Sequence, residues 1–256
     1  MSSYLFGHLT DPNIISLHKH FDYFIDLHSD LHWDLQTNKL YVNCTEVSNI
    51  THGFIRYNVF EQQTAQQYAN YYLICNYLRH NCCTYNQKYW GETPYKLHDL
   101  MIAKNLGLNI PYTEVTKQSN TSKETIVKPI TGGAHTQINK EAAYSSIIQH
   151  RIHGKNKRLY IINTVPFCFE IVSDKIDYRE DSATYVKLSD ISSGIIKKVK
   201  KLMGKIQLNF AAVDFMVDKN NKYWFLEINT MPMFAAFDLK VNGLLSKTIH
   251  SELIEL

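Results

Sequence analysis

Two carboxylates and an amide near the end of the chain, Asp214, Glu227 and Asn229, have residue types and spacing suited to a cation site. They sit on two apolar stretches, 210–217 and 223–228, joined by Asp218-Lys219-Asn220-Asn221, whose Asp/Asn content suits a tight hairpin. Side chains two apart on a strand share a face, so Glu227 and Asn229 point the same way, and Asp214 can sit opposite them. Three hard oxygen donors on one sheet face suit Mg²⁺, which takes a few carboxylates plus phosphate oxygens and water. The flanks are apolar, Phe210-Ala211-Ala212-Val213 on one side and Trp224-Phe225-Leu226 on the other. Two carboxylates in a buried strand pair need a cation or partners. The plain alternative is a surface hairpin with solvated acids.

A second group is cationic. In Ile126-Val127-Lys128-Pro129-Ile130-Thr131-Gly132-Gly133, a lysine ends an apolar strand before a Gly-Gly turn. The ammonium can reach a phosphate while backbone N–H groups of the turn approach it, although strand-ending lysines before glycine turns are common without that role. Arg179, in Asp177-Tyr178-Arg179, and Arg158 are further candidates. Guanidinium groups contact phosphate in bidentate fashion and stabilise charge developing on transferred oxygens. Isolated arginines otherwise serve as surface or ion-pair residues.

The elements that must carry these residues alternate between strand and helix. Residues 21–27, 39–42 and 53–59 read as strands, rich in aromatic and β-branched side chains, and 66–79 as a helix with apolar residues near one face. A helix over 95–105 begins after Pro94 and stops at Gly107. Strands are expected at 125–128, 146–152, 158–163 and 167–172, with a turn at Gly154-Lys155-Asn156. An amphipathic helix over 189–206 precedes the hairpin, and a last helix spans 244–256. Lys197, Lys198, Lys200, Lys201 and Lys205 read as the solvated face of the first of these.

Composition excludes several classes. A chain of 256 residues with 45% hydrophobic and 20% charged residues can bury a sizeable core. A net charge of +3 is too small to imply nucleic acid. No run approaches the roughly 20 apolar residues that span a bilayer, and the N-terminus lacks a secretory pattern. No nucleic-acid or membrane partner is therefore expected. Five cysteines without repeated spacing point to reduced thiols and a cytoplasmic setting. His80 with Cys82 and Cys83 lacks tetrahedral zinc spacing, and the twelve histidines suggest no catalytic triad.

In their order along the chain these pieces resemble the ATP-grasp ligases. Residues 96–256 are similar to the ribosomal-protein glutamate ligase branch, and closer to the peptide maturases that make microviridin-type graspetides. The resemblance runs through Lys96-Leu97-His98-Asp99-Leu100, Ala103-Lys104-Asn105-Leu106-Gly107, Ile126-Val127-Lys128-Pro129, Gln149-His150-Arg151-Ile152 and Lys157-Arg158-Leu159-Tyr160. It continues through Phe169-Glu170-Ile171-Val172-Ser173, Asp177-Tyr178-Arg179, Ala212-Val213-Asp214-Phe215 and Phe225-Leu226-Glu227-Ile228-Asn229. The first ninety residues are more loosely similar, through Phe54-Ile55-Arg56-Tyr57 and Asn86-Gln87-Lys88-Tyr89-Trp90.

The resemblance implies an α/β (α+β) protein with an ATP-grasp fold behind an N-terminal pre-ATP-grasp α/β domain. The implied boundaries are 1–92 for that domain, 93–152 for the central subdomain and 153–256 for the C-terminal subdomain with the metal site. It implies that Lys96 and Lys128 bind ATP phosphates and enclose the adenine, and that Gln149, His150, Arg151 and Ile152 form the hinge that reads the adenine edge. Asp214, Glu227 and Asn229 would hold Mg²⁺, and Arg158 and Arg179 would face the γ-phosphate and an acyl-phosphate intermediate. His150 and Asn156 depart from the family, which usually places acidic residues there, so nucleotide contacts at both positions would be looser. The segment after Asn229 lacks the Gly-Gln-Trp run typical of microviridin enzymes, which points to another product.

The expected activity is ATP-dependent activation of an Asp or Glu side chain of a precursor peptide, followed by attack of a Ser/Thr hydroxyl or Lys amine. Two alternatives stay open: a ligase joining an amino acid to a small carboxylate or protein terminus, and a nucleotide-binding regulator without turnover. A homodimer is compatible with each of them.

Overall fold

Parallel strands need a crossover between them, and the N-terminus supplies one with β1 (Ser3–Gly7), α1 (Pro12–His18) and β2 (Tyr23–Asp26). A three-stranded antiparallel meander follows, β3 (Leu31–Asp34), β4 (Lys39–Val42) and β5 (Thr45–Val47). Then β6 (His52–Ile55) pairs parallel with the other edge of β1, giving the order β2-β1-β6. Helix α2 (Ala65–Asn81) starts with a reciprocal capping box, the Thr64 hydroxyl accepting from Gln67 N–H and the Gln67 side chain accepting from Thr64 N–H. Ile74, Tyr77 and Leu78 pack it against Tyr4, Phe6, Ile25 and Leu40.

This computed structural model describes residues 2–89, 96–117, 124–130, 137–138, 145–173 and 185–256. The chain divides into two units, Met1–Lys88 with Met233–Leu256, and Tyr89–Pro232. The three-part division given above remains a proposal.

The second unit opens with α3 (Lys96–Asn105). A four-stranded antiparallel sheet follows, β7 (Thr113–Thr116), β8 (Thr125–Lys128), β9 (Gln137–Ile138) and β10 (Ser146–His150), in the order β7-β10-β8-β9. A five-stranded antiparallel sheet is built from β11 (Gly154–Ile162), β12 (Val165–Val172), β13 (Tyr185–Leu188), β14 (Phe210–Asp218) and β15 (Tyr223–Asn229). Its order is β13-β12-β11-β14-β15, with α4 (Ser193–Lys205) between β13 and β14 in sequence. Alternate residues Leu159, Ile161, Ala211, Val213, Phe215 and Phe225 face α3 and α4 and pack on Leu100, Ala103, Val199, Leu202 and Met203. Burying a Leu- or Val-sized side chain is worth about 1.5–3 kcal/mol, so this face fixes the register and commits the intervening residues to the opposite face.

The chain then rejoins the first unit through α5 (Ala235–Asp238) and α6 (Leu244–Ile254). Asn13 Oδ1 accepts the N–H groups of Phe234 and Ala235 at 2.7 and 2.9 Å, and Tyr85 donates its hydroxyl to Ile249 O at 2.7 Å. Leu245, Ile249 and Leu253 are buried.

Several expectations change. The turn expected at Gly154-Lys155-Asn156 is the start of β11, where the missing Cβ lets the backbone close on Val217 O. The strand expected over 53–59 stops at Ile55, because Arg56 turns inward to pair with Asp11 (Nε to Oδ2, 2.8 Å), both buried. Helix α4 starts at Ser193 rather than 189, since the Ser192 hydroxyl caps it by accepting from Gly194 N–H. All five cysteines are free thiols, and no helix among the described residues is long and apolar enough to cross a membrane.

Candidate active site

On the face of the five-stranded sheet away from α3 and α4, three charged residues form one row. Arg158 on β11 is directly opposite Asp214 on β14, and Asp214 is directly opposite Glu227 on β15. The second pairing depends on a β-bulge. Phe215 pairs with Phe225 while Asp214 pairs with Glu227, so Leu226 is the extra residue on β15. A bulge of this kind re-aims the side chains beyond it. Phe225 therefore stays in the core while Glu227 and Asn229 turn to the open face, where the sequence placed them.

The row is tied together by short contacts. Arg158 Nη1 lies 3.4 Å from both carboxylate oxygens of Asp214, and Asn229 Nδ2 donates to Asp214 Oδ2 at 3.0 Å. Lys96 Nζ, from the first turn of α3, lies 3.3 Å from Glu227 Oε2. Burial pushes the Asp214 carboxyl up, more than Arg158 pulls it down, and the Glu227 charge adds to the rise. Burial also pushes Glu227 up, but Lys128 and Lys96 outweigh it and hold its pKa below the usual carboxylate range. The two carboxyls face each other across one pair of strands, so the first gains most from another cation.

Such a cation fits the residues present. Asp214 Oδ1 is buried with no hydrogen-bond donor among the described residues. Arg158, 3.4 Å away, supplies part of the positive charge that such an oxygen needs, yet the Asp214 pKa stays raised, so a further cation is favoured. Asn229 uses its amide N–H on Asp214, which leaves its carbonyl oxygen as the donor atom. Asp214, Glu227 and Asn229 together offer the all-oxygen set that Mg²⁺ prefers.

The four-stranded sheet contributes a second set. Lys128 ends β8 opposite Ile147, and Gln149 on β10 lies opposite Ile126 and Thr113, so Lys128 and Gln149 share a face. Lys128 is close enough to lower the pKa of both Asp214 and Glu227. Gln149 is buried, and its Nε2 donates to Thr113 Oγ1 at 3.0 Å, while its Oε1 has no partner among the described residues. The sequence pointed to backbone groups here. A buried side-chain acceptor on the lysine's face is an addition, and its signal is the two-residue strand period linking Ile147 to Gln149.

The other hinge residues are occupied differently. The His150 ring stacks on Tyr112 at 4.5 Å between centroids, and the His150 backbone N–H donates to Tyr112 O. Arg151 forms an ion pair with Glu124 and donates its backbone N–H to Glu124 O. Ile152 is half-buried just beyond β10. Asn156 shares the face of Arg158 two residues along β11, opposite Met216 and Ile171. Arg179, with Asp177 and Tyr178, lies outside the described residues, as do Gly132 and Gly133.

The fold recurs in solved structures over the whole length of the chain. PsnB, an ATP-grasp ligase in complex with a minimal precursor, superposes with a TM-score of 0.81 at 18% identity, covering 99% of this chain and 98% of PsnB. The chain has the ATP-grasp fold. The macrocyclase MdnC from Microcystis aeruginosa MRC, bound with precursor peptide MdnA, matches with a TM-score of 0.71 at 16% identity over 100% of both chains. D-alanine–D-alanine ligase from Bacillus anthracis matches at 0.64 and 14%, covering 100% of this chain and 96% of that one. PsnB has also been solved with Mg, ADP and a phosphomimetic variant of its minimal precursor. No protein-family model and no curated protein matches the sequence. The likeness to ATP-grasp ligases read from the motifs, and the α+β class with it, is borne out at the level of the fold.

Proposed function

We propose that the chain is an ATP-grasp ligase that activates a carboxylate with ATP and Mg²⁺, and that its substrate is a ribosomal precursor peptide. The observation that carries this reading is the Arg158–Asp214–Glu227 row, where a buried carboxylate oxygen that accepts no hydrogen bond among the described residues lies within one charged cluster with Lys96 and Lys128. When bound, Mg²⁺ would neutralise charge on the phosphate oxygens of ATP during transfer. Asp214, Glu227 and Asn229 would hold it. Lys128 and Lys96 would bind phosphate oxygens, Gln149 Oε1 would accept from an exocyclic amine of the base, and His150, Arg151, Ile152 and Asn156 would line the nucleotide. Arg158 and Arg179 would stabilise charge on the transferring phosphoryl group.

In this reading a substrate carboxylate oxygen attacks the γ-phosphorus and ADP leaves. A Ser/Thr hydroxyl or Lys amine then adds to the acyl phosphate, loses its proton and expels phosphate, giving an ester or amide crosslink. The precursor peptides bound by PsnB and MdnC support the substrate class. The match to D-alanine–D-alanine ligase supports a second reading, in which the carboxylate and the amine both belong to small molecules.

Incubation with ATP, Mg²⁺, hydroxylamine and a panel of peptides containing Asp/Glu and Ser/Thr/Lys tests the proposal. ADP and a peptide hydroxamate are expected. AMP with pyrophosphate would overturn the acyl-phosphate route, ADP formation with free amino acids alone would move the assignment to the second reading, and no nucleotide turnover with any substrate would favour a regulator.

A further inference from the structure

Outside the charged row, one cluster of metal-ligating side chains stands out in the N-terminal unit. His8 follows β1, Asp26 ends β2, and His28 lies two residues beyond. Their ligand atoms converge: His8 Nδ1 is 2.9 Å from His28 Nδ1 and 3.2 Å from Asp26 Oδ1, and His28 Nδ1 is 2.7 Å from the same oxygen. It is the only such His/Cys/Asp/Glu group among the described residues. The carboxyl ends of adjacent parallel strands, where this group lies, commonly form binding crevices in α/β sheets.

Hydrogen bonding alone does not satisfy the three contacts. A neutral imidazole carries one N–H, and a carboxylate only accepts. If both Nδ1 atoms are protonated, two donors face each other at 2.9 Å. If either lacks its proton, its lone pair faces Asp26 Oδ1. A cation among the three atoms removes the conflict, because each then presents a lone pair to it.

We infer that His8, Asp26 and His28 form a binding site for a divalent first-row transition cation. For metal–ligand distances of about 2.0–2.1 Å, the observed separations subtend roughly 80–100° at the metal, the angles of one face of a five- or six-coordinate shell. Three protein ligands leave positions open to water or to a donor atom of a bound molecule. The side chains of Asp26 and His28 are 40% and 50% exposed, so those positions face solvent, whereas His8 is buried and anchors the site. The ligands are held in place by the fold. Asn70 on α2 donates to both Leu27 O and Ser29 O, Leu27 donates to Gly7 O, and His8 O accepts from Asp11 N–H. Imidazole nitrogen selects transition cations over Mg²⁺, so this site differs in chemistry from the all-oxygen set on β14 and β15.

The test counts zinc bound by the untagged full chain after chelator treatment, by equilibrium dialysis with Zn²⁺ in excess Mg²⁺, which occupies oxygen-only sites. The wild type should hold one equivalent more than His28→Ala and one more than Asp26→Asn, both at exposed positions and both checked for unchanged circular dichroism. Co²⁺ in place of Zn²⁺ should give a visible absorption band that both variants lose. Equal zinc and equal cobalt spectra in wild type and variants would overturn the assignment, as would a wild type that binds no zinc.

Discussion

Asp214 and Glu227 lie directly opposite each other across β14 and β15 because Leu226 is bulged out of the ladder. In an unbulged continuation of the pairing at Phe215 and Phe225, Glu227 would fall opposite Val213, on the face packed against α3 and α4. One extra residue thus moves a carboxylate from the apolar face to the charged one, next to Lys96 and the Arg158–Asp214 pair.

Neutralising either carboxylate should remove catalysis without unfolding the chain. The Asp214 pKa is raised, so its charged form is disfavoured in the folded state, and Asp214→Asn should keep or raise the melting temperature of the ligand-free chain at pH 7. ADP formation by Asp214→Asn or Glu227→Gln should fall about 100-fold or more, since in the proposed function each would hold a cation that supplies several kcal/mol of charge stabilisation. Circular dichroism and an ADP-release assay check this, and wild-type turnover by either variant would remove the row from the reaction.

Lys128→Ala should weaken binding of a non-hydrolysable ATP analogue by roughly 10–100-fold, the equivalent of about 1.5–3 kcal/mol for a hydrogen bond to a charged group. Because Lys128 is the largest of the cations holding the Glu227 pKa down, the same variant should lose nucleotide binding at a higher pH on acidification. Calorimetry at several pH values reads both effects. An unchanged affinity would take Lys128 out of the site.

A pair of glycine variants separates close approach from helix propensity. A Cβ on Gly154 would collide with Val217 O and C across β11 and β14, so Gly154→Ala should destabilise the chain by about 1–3 kcal/mol. Gly204, exposed in α4, has open space around its Cβ position, and Gly204→Ala should stabilise by roughly 0.5–1 kcal/mol. Denaturant melts measure both, and equal effects of the two would contradict the strand register given for Gly154.

Asp99, in the first turn of α3, has its pKa pushed up to about 6 by burial. A raised carboxyl pKa means that its protonated form is favoured on folding. Its stabilising contribution is then complete below the unfolded value near 4 and disappears as pH rises through about 6. Asp99→Asn should therefore be more stable than wild type above pH 6, with the difference shrinking toward pH 4. A pH series of melting temperatures for both proteins tests the sign, and a constant difference across that range would exclude burial of Asp99 as its source.

Local pattern carried much of the fold and the placing of three oxygen-bearing side chains on one strand pair. Strands 39–42 and 125–128 were fixed by β-branched and aromatic runs, and the hairpin by Asp218-Lys219-Asn220-Asn221, because these signals act within a few residues. Asp214, Glu227 and Asn229 were legible for the same reason, as was Lys128 at its strand end. Gly154 was misread as a turn because a glycine needed for close backbone approach looks the same in sequence as one needed for chain reversal. The sequence could not place Arg158 opposite Asp214, set Leu226 as the bulge, turn the Gln149 side chain to the Lys128 face, or bring His8 to His28. Each of these depends on strand order and register, which are set by how distant apolar faces such as Leu159, Val213 and Phe225 bury one another. The sequence by itself determined which residues could do chemistry; the packing of the sheet against α3 and α4 decided which of them meet.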